Sequence, residues 1–242
     1  MNNIQSKLTV KTVVSISLMV ALSIILTRFF SISTPTLRIG FGDIPVMLSG
    51  MFLGPVAGAI TGLLADLIGF AINPLGPIYF PGFTISAALR GALFGWIFMY
   101  VRNRKSKLNF NIVNIIVVIV LAIGIILTLN KSVELVFSNW RIGYQVLFVL
   151  VVIAFALLPM IITKYYKQRK EEPIYELDKI LFSVTLTYIV ISIGLNTYWL
   201  SILYGKAFLI MLPSRIVTGL VVIPVHSLIL YVLSGKLKKI VK

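Results

Sequence analysis

Apolar residues fall in long, almost uninterrupted runs along this chain, separated by short stretches where prolines, glycines and basic residues gather. The first run covers about Lys11 to Phe30 and leads into a turn-rich segment holding Ser31, Ser33, Pro35, Gly40 and Gly42. A second, from Ile44 to Ile72, is interrupted at Gly54-Pro55, which predicts two spans meeting at a tight turn. The proline-bearing segment Asn73 to Gly82 reads as a loop, and Phe83 to Tyr100 spans again until Arg102, Arg104, Lys105 and Lys107 stop it. Ile112 to Leu129 and Gly143 to Thr163 follow, closed by Lys164, Lys167, Arg169 and Lys170; Ile180 to Leu203 and Phe208 to Leu233 complete the set, ended by Lys236, Lys238, Lys239 and Lys242. A run of about 20 apolar residues rising 1.5 Å per residue crosses a hydrocarbon core of roughly 30 Å. The runs lack the alternation of membrane barrel strands, so they are predicted as helices. The expected fold is an all-α, polytopic membrane helical bundle of about eight spans, a single membrane domain over residues 1–242.

Composition agrees: with 59% hydrophobic residues and a mean hydropathy of +1.02, too little polar surface remains for a soluble globule. The formal charge of +15 raises nucleic acid as a partner, but the basic residues flank apolar runs, the distribution that orients membrane proteins, and nucleic-acid binding is not expected. With the spans in order, the N-terminal lysines, the 102–107 cluster, the 164–179 cluster and the C-terminal lysines share one side, which the positive-inside rule makes cytoplasmic. Both termini are then inside, in a multi-pass protein of a bacterial plasma membrane. Lys7 and Lys11 before Val13 to Leu26 look like the start of a secretory signal, yet Thr27, Arg28, Phe29 and Phe30 stand where cleavage needs small residues, so an uncleaved first span is expected. The absence of cysteine excludes disulfides, thiolate nucleophiles and cysteine-based metal sites.

Little in the chain supports an enzyme. Neither Gly205-Lys206 nor Gly235-Lys236 has the glycine-rich context of a phosphate-binding loop, and the single histidine, His226, cannot form the paired ligands of a zinc protease. Neither a metal nor a cofactor is expected. What the chain does carry is polar chemistry at one membrane face. Asn196, Trp199, Tyr204 and Lys206 end one hydrophobic helix, and Leu212, Pro213, Ser214 and Arg215 open the next, on the outer side. Such groups suit a water-soluble anionic small molecule. Arg28, Thr36, Arg38 and Asp43 lie in or beside the first outer loop, and Asn73, Tyr79, Phe80, Pro81 and Phe83 in or beside the second. Aromatic faces stack on planar rings and arginine forks bind carboxylates, although Tyr79 and Trp199 also suit interfacial anchoring and Arg28 suits snorkelling. Within the spans, Asp66 and Arg90 stand out, because an ionisable group at bilayer depth is costly unless paired or wet. Counted from their shared outer loop, both lie roughly 9 to 12 Å deep, so an ion pair or a shared place in a ligand cavity is expected, with a purely structural pair as the alternative.

The order and spacing of several segments carry a resemblance. These are Leu37-Arg38-Ile39-Gly40-Phe41-Gly42, Gly50-Met51-Phe52-Leu53-Gly54-Pro55, Ala65-Asp66-Leu67, Tyr79-Phe80-Pro81-Gly82-Phe83-Thr84, Ser86-Ala87-Ala88-Leu89, Leu195-Asn196-Thr197-Tyr198-Trp199-Leu200, Leu203-Tyr204-Gly205-Lys206 and Leu212-Pro213-Ser214-Arg215. Together they resemble the substrate-binding S components of energy-coupling factor (ECF) vitamin transporters, in particular the folate-specific group. The resemblance implies a six-helix S-component-like core over residues 11–101 and 180–233, with an inserted two-helix hairpin at about 108–170. It implies capture of a folate-like vitamin from outside, and docking on a transmembrane coupling (T) protein with two ABC ATPases that alone hydrolyse ATP. Toppling of the S component in the membrane would then carry the ligand across.

For a folate, the resemblance and the chemistry of the ligand together assign Asn196 and Asp66 to the pterin edge. Trp199, Tyr79 and Phe83 would stack on rings, and Arg38, Lys206 and Arg215 would meet the glutamate carboxylates. Outer segments Ser31 to Asp43 and Asn73 to Gly82 would act as lids. Ser17 and Ala21, four apart on the first helix, fit the small-residue docking face of this family and equally a close packing within the bundle. Arg90 departs from the family pattern, which has a neutral residue there. The competing readings are an S component for another vitamin, an ion-coupled secondary transporter with Asp66 as the coupling carboxylate, and a membrane assembly subunit without a ligand.

Overall fold

The computed structural model describes residues 9–33, 38–74, 79–102, 177–205 and 207–241, and the expected inserted hairpin lies outside them. The described chain is helical apart from one short two-stranded hairpin, β1 (Ser31–Ser33) with β2 (Arg38–Gly40). Its helices are α1 (Val10–Arg28), α2 (Asp43–Leu53), α3 (Pro55–Ile72), α4 (Pro81–Arg102), α5 (Leu177–Thr187), a π-helical stretch π1 (Tyr188–Leu195), α6 (Asn196–Tyr204) and α7 (Phe208–Val241). Among the described residues, four helical segments are long and apolar enough to cross a membrane: Val10–Arg28, Pro55–Ile72, Pro81–Arg102 and the continuous Leu177–Tyr204. The chain forms two compact units, one built on α1 to α4 and one on α5 to α7.

In the first unit the Gly54-Pro55 break falls as expected. Gly54 has φ 96°, which a side chain would strain, and Pro55 occupies the first turn of α3, where its missing N–H costs nothing. The two arms differ, however. Eleven residues make α2 about 16 Å long, too short to span a bilayer, because the segment before Asp43 is spent on the hairpin and its return. Ile16, Val20 and Ile24 of α1 bury against Ala57 and Ala65 of α3.

Helices α2, α3 and α4 approach more closely than side chains would allow. A Cβ on Gly58 would lie 2.6 Å from the Gly91 carbonyl oxygen, one on Gly62 2.1 Å from that of Ala87, and one on Gly50 2.5 Å from that of Gly91. Without a hydrophobic drive between helices in lipid, such backbone proximity is what packs them. Ser49 and Thr61 add a buried hydroxyl pair at 2.7 Å between α2 and α3.

In the second unit, α5, π1 and α6 pack along α7, with Ile180, Leu181, Val184, Ile191, Ile223 and Leu230 almost fully buried. His226 is buried on α7, in keeping with a packing role.

Candidate functional site

In the first unit, polar groups gather at the end of the bundle where α1 finishes and α4 begins. Successive turns of antiparallel α3 and α4 meet, Gly58 with Gly91, Gly62 with Ala87, and the next turn brings Asp66 to Thr84, whose hydroxyl donates to the carboxylate at 2.6 Å. Thr84 also bonds the Tyr79 hydroxyl at 2.8 Å. Asp66 and Tyr79, two of the expected ligand residues, are thus joined through a threonine that sequence reasoning passed over. The Tyr79 ring meets Phe70 edge-on at 5.2 Å, and Phe83 meets Phe80 in the same manner at 5.6 Å. Arg28 closes the cluster from α1: its Nη1 donates to the Asn73 carbonyl at 2.7 Å, its guanidinium lies over Gly69, where a Cβ would sit 2.9 Å from Nε, and it interacts electrostatically with Asp66.

The expected Asp66–Arg90 ion pair does not form. Arg90 Nη1 donates instead to the Asp43 carboxylate. Helix α2 begins deep enough for its first residue to reach Arg90, because Ser23 Oγ of α1 holds the Gly42 carbonyl at 2.7 Å and draws the end of the hairpin inward. Arg90 and Asp43 therefore offset each other within this unit, and Asp66 lies within electrostatic reach of Arg28, which lowers the cost of charge at bilayer depth. The departure at Arg90 is answered by Asp43 at the N-terminus of α2, where the helix dipole also favours an anion.

In the second unit, Asn196 and Trp199 stand three apart on α6, on one face. The Asn196 Oδ1 is shut off from solvent with no hydrogen-bond partner among the described residues. An unmet buried acceptor costs about 1–3 kcal/mol, so this oxygen is not placed for stability, and a donor on a ligand would satisfy it. Trp199 is half-buried and packs at 5.1 Å against Tyr198. Arg215, half-buried on α7, offers its backbone carbonyl to the Tyr188 hydroxyl at 2.9 Å. Arg38 opens β2, and Lys206 lies outside the described residues. Ser17 and Ala21 are both exposed on α1, the Ser17 hydroxyl turned back onto the Val13 carbonyl at 3.0 Å. Among the described residues no group of His, Cys, Asp and Glu is arranged to hold a metal ion.

Residues 7–163 match the family model described as the S component of an ECF-type riboflavin transporter. A curated folate transporter, FolT of Clostridium novyi (strain NT), is 29% identical over 222 residues, covering 92% of this chain and 87% of its own. Among solved structures, FolT bound with folic acid aligns with a TM-score of 0.54 at 21% identity, over 92% of this chain and 90% of that one. The S component of a bacterial ECF transporter aligns at 0.53 and 21% identity, over 96% and 98%. These two structures share the fold, and the family match rests on the sequence. The chain belongs to the S components of ECF-type transporters.

Proposed function

We propose that this S component captures folate or a closely related pterin from outside the cell and delivers it through a coupling module whose ATPases supply the energy. The observation that carries the ligand is the similarity to a curated folate transporter along 92% of the chain. The residues agree in kind. Asn196 keeps a buried acceptor unmet, which suits the amino and ring N–H donors of a pterin, and Trp199, Tyr79 and Phe83 are aromatic surfaces for its flat rings. Arg38, Lys206 and Arg215 suit the glutamate carboxylates. Riboflavin is the second reading, favoured by the description of the family model; it has a flat ring but no carboxylates, which leaves those cations without a task. Fold alone does not decide between them, since the pocket sets the ligand.

Titration of the purified protein in detergent with folate, riboflavin, thiamine and biotin tests the reading. Tryptophan fluorescence should respond to folate at submicromolar concentration and to none of the others. Saturable riboflavin binding without folate binding would transfer the assignment.

Docking on the T protein is proposed for the exposed Ser17 and Ala21 face of α1, which supports docking over packing within the described bundle. Ala21→Trp should leave folate affinity within about twofold, the range expected of a surface change away from a ligand. It should abolish co-purification with the T protein and ATPases. Retained co-purification would remove this face from the interface.

A further inference from the structure

We infer that the π-helical stretch Tyr188–Leu195 is the register device of the vitamin site: its wider turns decide which face of α6 carries Asn196 and Trp199, and Tyr188 is the positioning residue that fixes the stretch to α7. The inference rests on the proposed vitamin-binding reading and adds to it a reason for the backbone.

Eight consecutive π-helical residues are far longer than the single-turn bulges in which this geometry usually occurs, and such bulges favour functional sites. Nothing in Tyr188-Ile189-Val190-Ile191-Ser192-Ile193-Gly194-Leu195 forbids an α-helix, as there is no proline. The wide turn is carried directly to Asn196, whose backbone N–H donates to the Ile191 carbonyl five residues back. The fully buried Thr197 hydroxyl then takes up the Ser192 carbonyl, also five back, at 3.2 Å. In an α-helical register the Asn196 amide would bond Ser192 instead. Wound at 3.6 residues per turn, the same eight residues would turn further than they do here, which would carry Asn196 and Trp199 off their present face together.

The other end of the stretch is clamped. The Tyr188 hydroxyl donates to the Arg215 carbonyl of α7 at 2.9 Å. One turn along α7 the ring covers Gly219, where a Cβ would lie 2.6 Å from Tyr188 Cε1. One residue thus fixes both the height and the rotation of π1 against the helix bearing Arg215. The result at the far end is the buried Asn196 oxygen without a donor.

Three proteins in detergent test this: wild type, Tyr188→Phe and Asn196→Leu. Each is titrated with folate and melted without ligand. Tyr188→Phe keeps the ring over Gly219 and loses only the donor; folate should bind about tenfold more weakly, mainly through faster release, the usual place for an interface effect. Asn196→Leu should lose folate binding and melt higher than wild type without ligand, since it removes an unmet polar atom. A structural asparagine would show the opposite shift. Wild-type affinity in Tyr188→Phe, or a lower melting temperature in Asn196→Leu, overturns the inference. A wild type that binds riboflavin, thiamine or biotin instead overturns the folate reading alone, and the same variants are then titrated with that vitamin. A wild type that binds none of the four overturns both.

Discussion

Gly91→Val is expected to abolish the folded first unit. A Cβ at this position would sit 2.1 Å from the Gly58 carbonyl oxygen and 2.9 Å from its Cα. Both are backbone atoms, so no side chain can swing aside, and α3 and α4 would have to move apart by about an ångström or more. Such a movement also breaks the meeting of Gly62 with Ala87 one turn further on and the bond from Thr84 to Asp66 beyond it. Overpacking of a well-packed interior costs typically about 1–3 kcal/mol, and a backbone-on-backbone clash repeated along two helices belongs above that range. The measurement is size-exclusion behaviour and melting in detergent: loss of the monodisperse peak, or a melting temperature lower by about 10 °C. Gly235→Ala is the control, since nothing lies within 4 Å of its Cβ position and alanine is the better helix former. Equal melting of Gly91→Val and wild type would mean that α3 and α4 do not touch there.

Several helix boundaries were readable from the chain because they depend on local chemistry, whereas α7 runs on to Val241, past the expected end at Leu233 and through the lysines expected to stop it. Gly54-Pro55 ends one helix and starts the next, and the basic residues Arg28 and Arg102 close α1 and α4. Three features were not readable. The short length of α2 is hidden because hydropathy records that Ile44 to Leu53 is apolar and says nothing of where the chain returns from its hairpin. The π-helical stretch is invisible because an apolar run in lipid presents the same surface whether its turn holds 3.6 residues or more. The glycine pairs at positions 58 and 62 and at 91 and 95 have the spacing of close helix packing, as do Ser17 and Ala21 on α1, and spacing alone does not say which of these pairs faces another helix. Of the candidate site, the residue types were legible and the pairings were not. Counting depth along two helices matches Asp66 with Arg90 and omits Asp43 on a third.

That third helix gives the second large effect. Asp43→Leu should destabilise the protein more than Arg90→Leu, and the double variant should recover most of the loss. Breaking a buried ion pair by removing one partner costs about 3–5 kcal/mol, because the other charge stays buried and unmatched, whereas replacing both with apolar groups is often neutral. The asymmetry follows from burial. The Arg90 side chain is 13% exposed and that of Asp43 36%, so an abandoned Asp43 still reaches solvent and keeps the favourable N-terminus of α2, while an abandoned Arg90 is more shut off from water. Melting of the four proteins closes a double-mutant cycle, with a coupling of about 1–3 kcal/mol expected for residues in direct contact. Additive losses would separate the two charges. Because Asp43 ends the hairpin that begins at Ser31, the same cycle read by folate release tests whether the pair also holds the first loop: Asp43→Leu should then release ligand faster than wild type, and the double variant, which restores the melting temperature without restoring the tether, should release it equally fast.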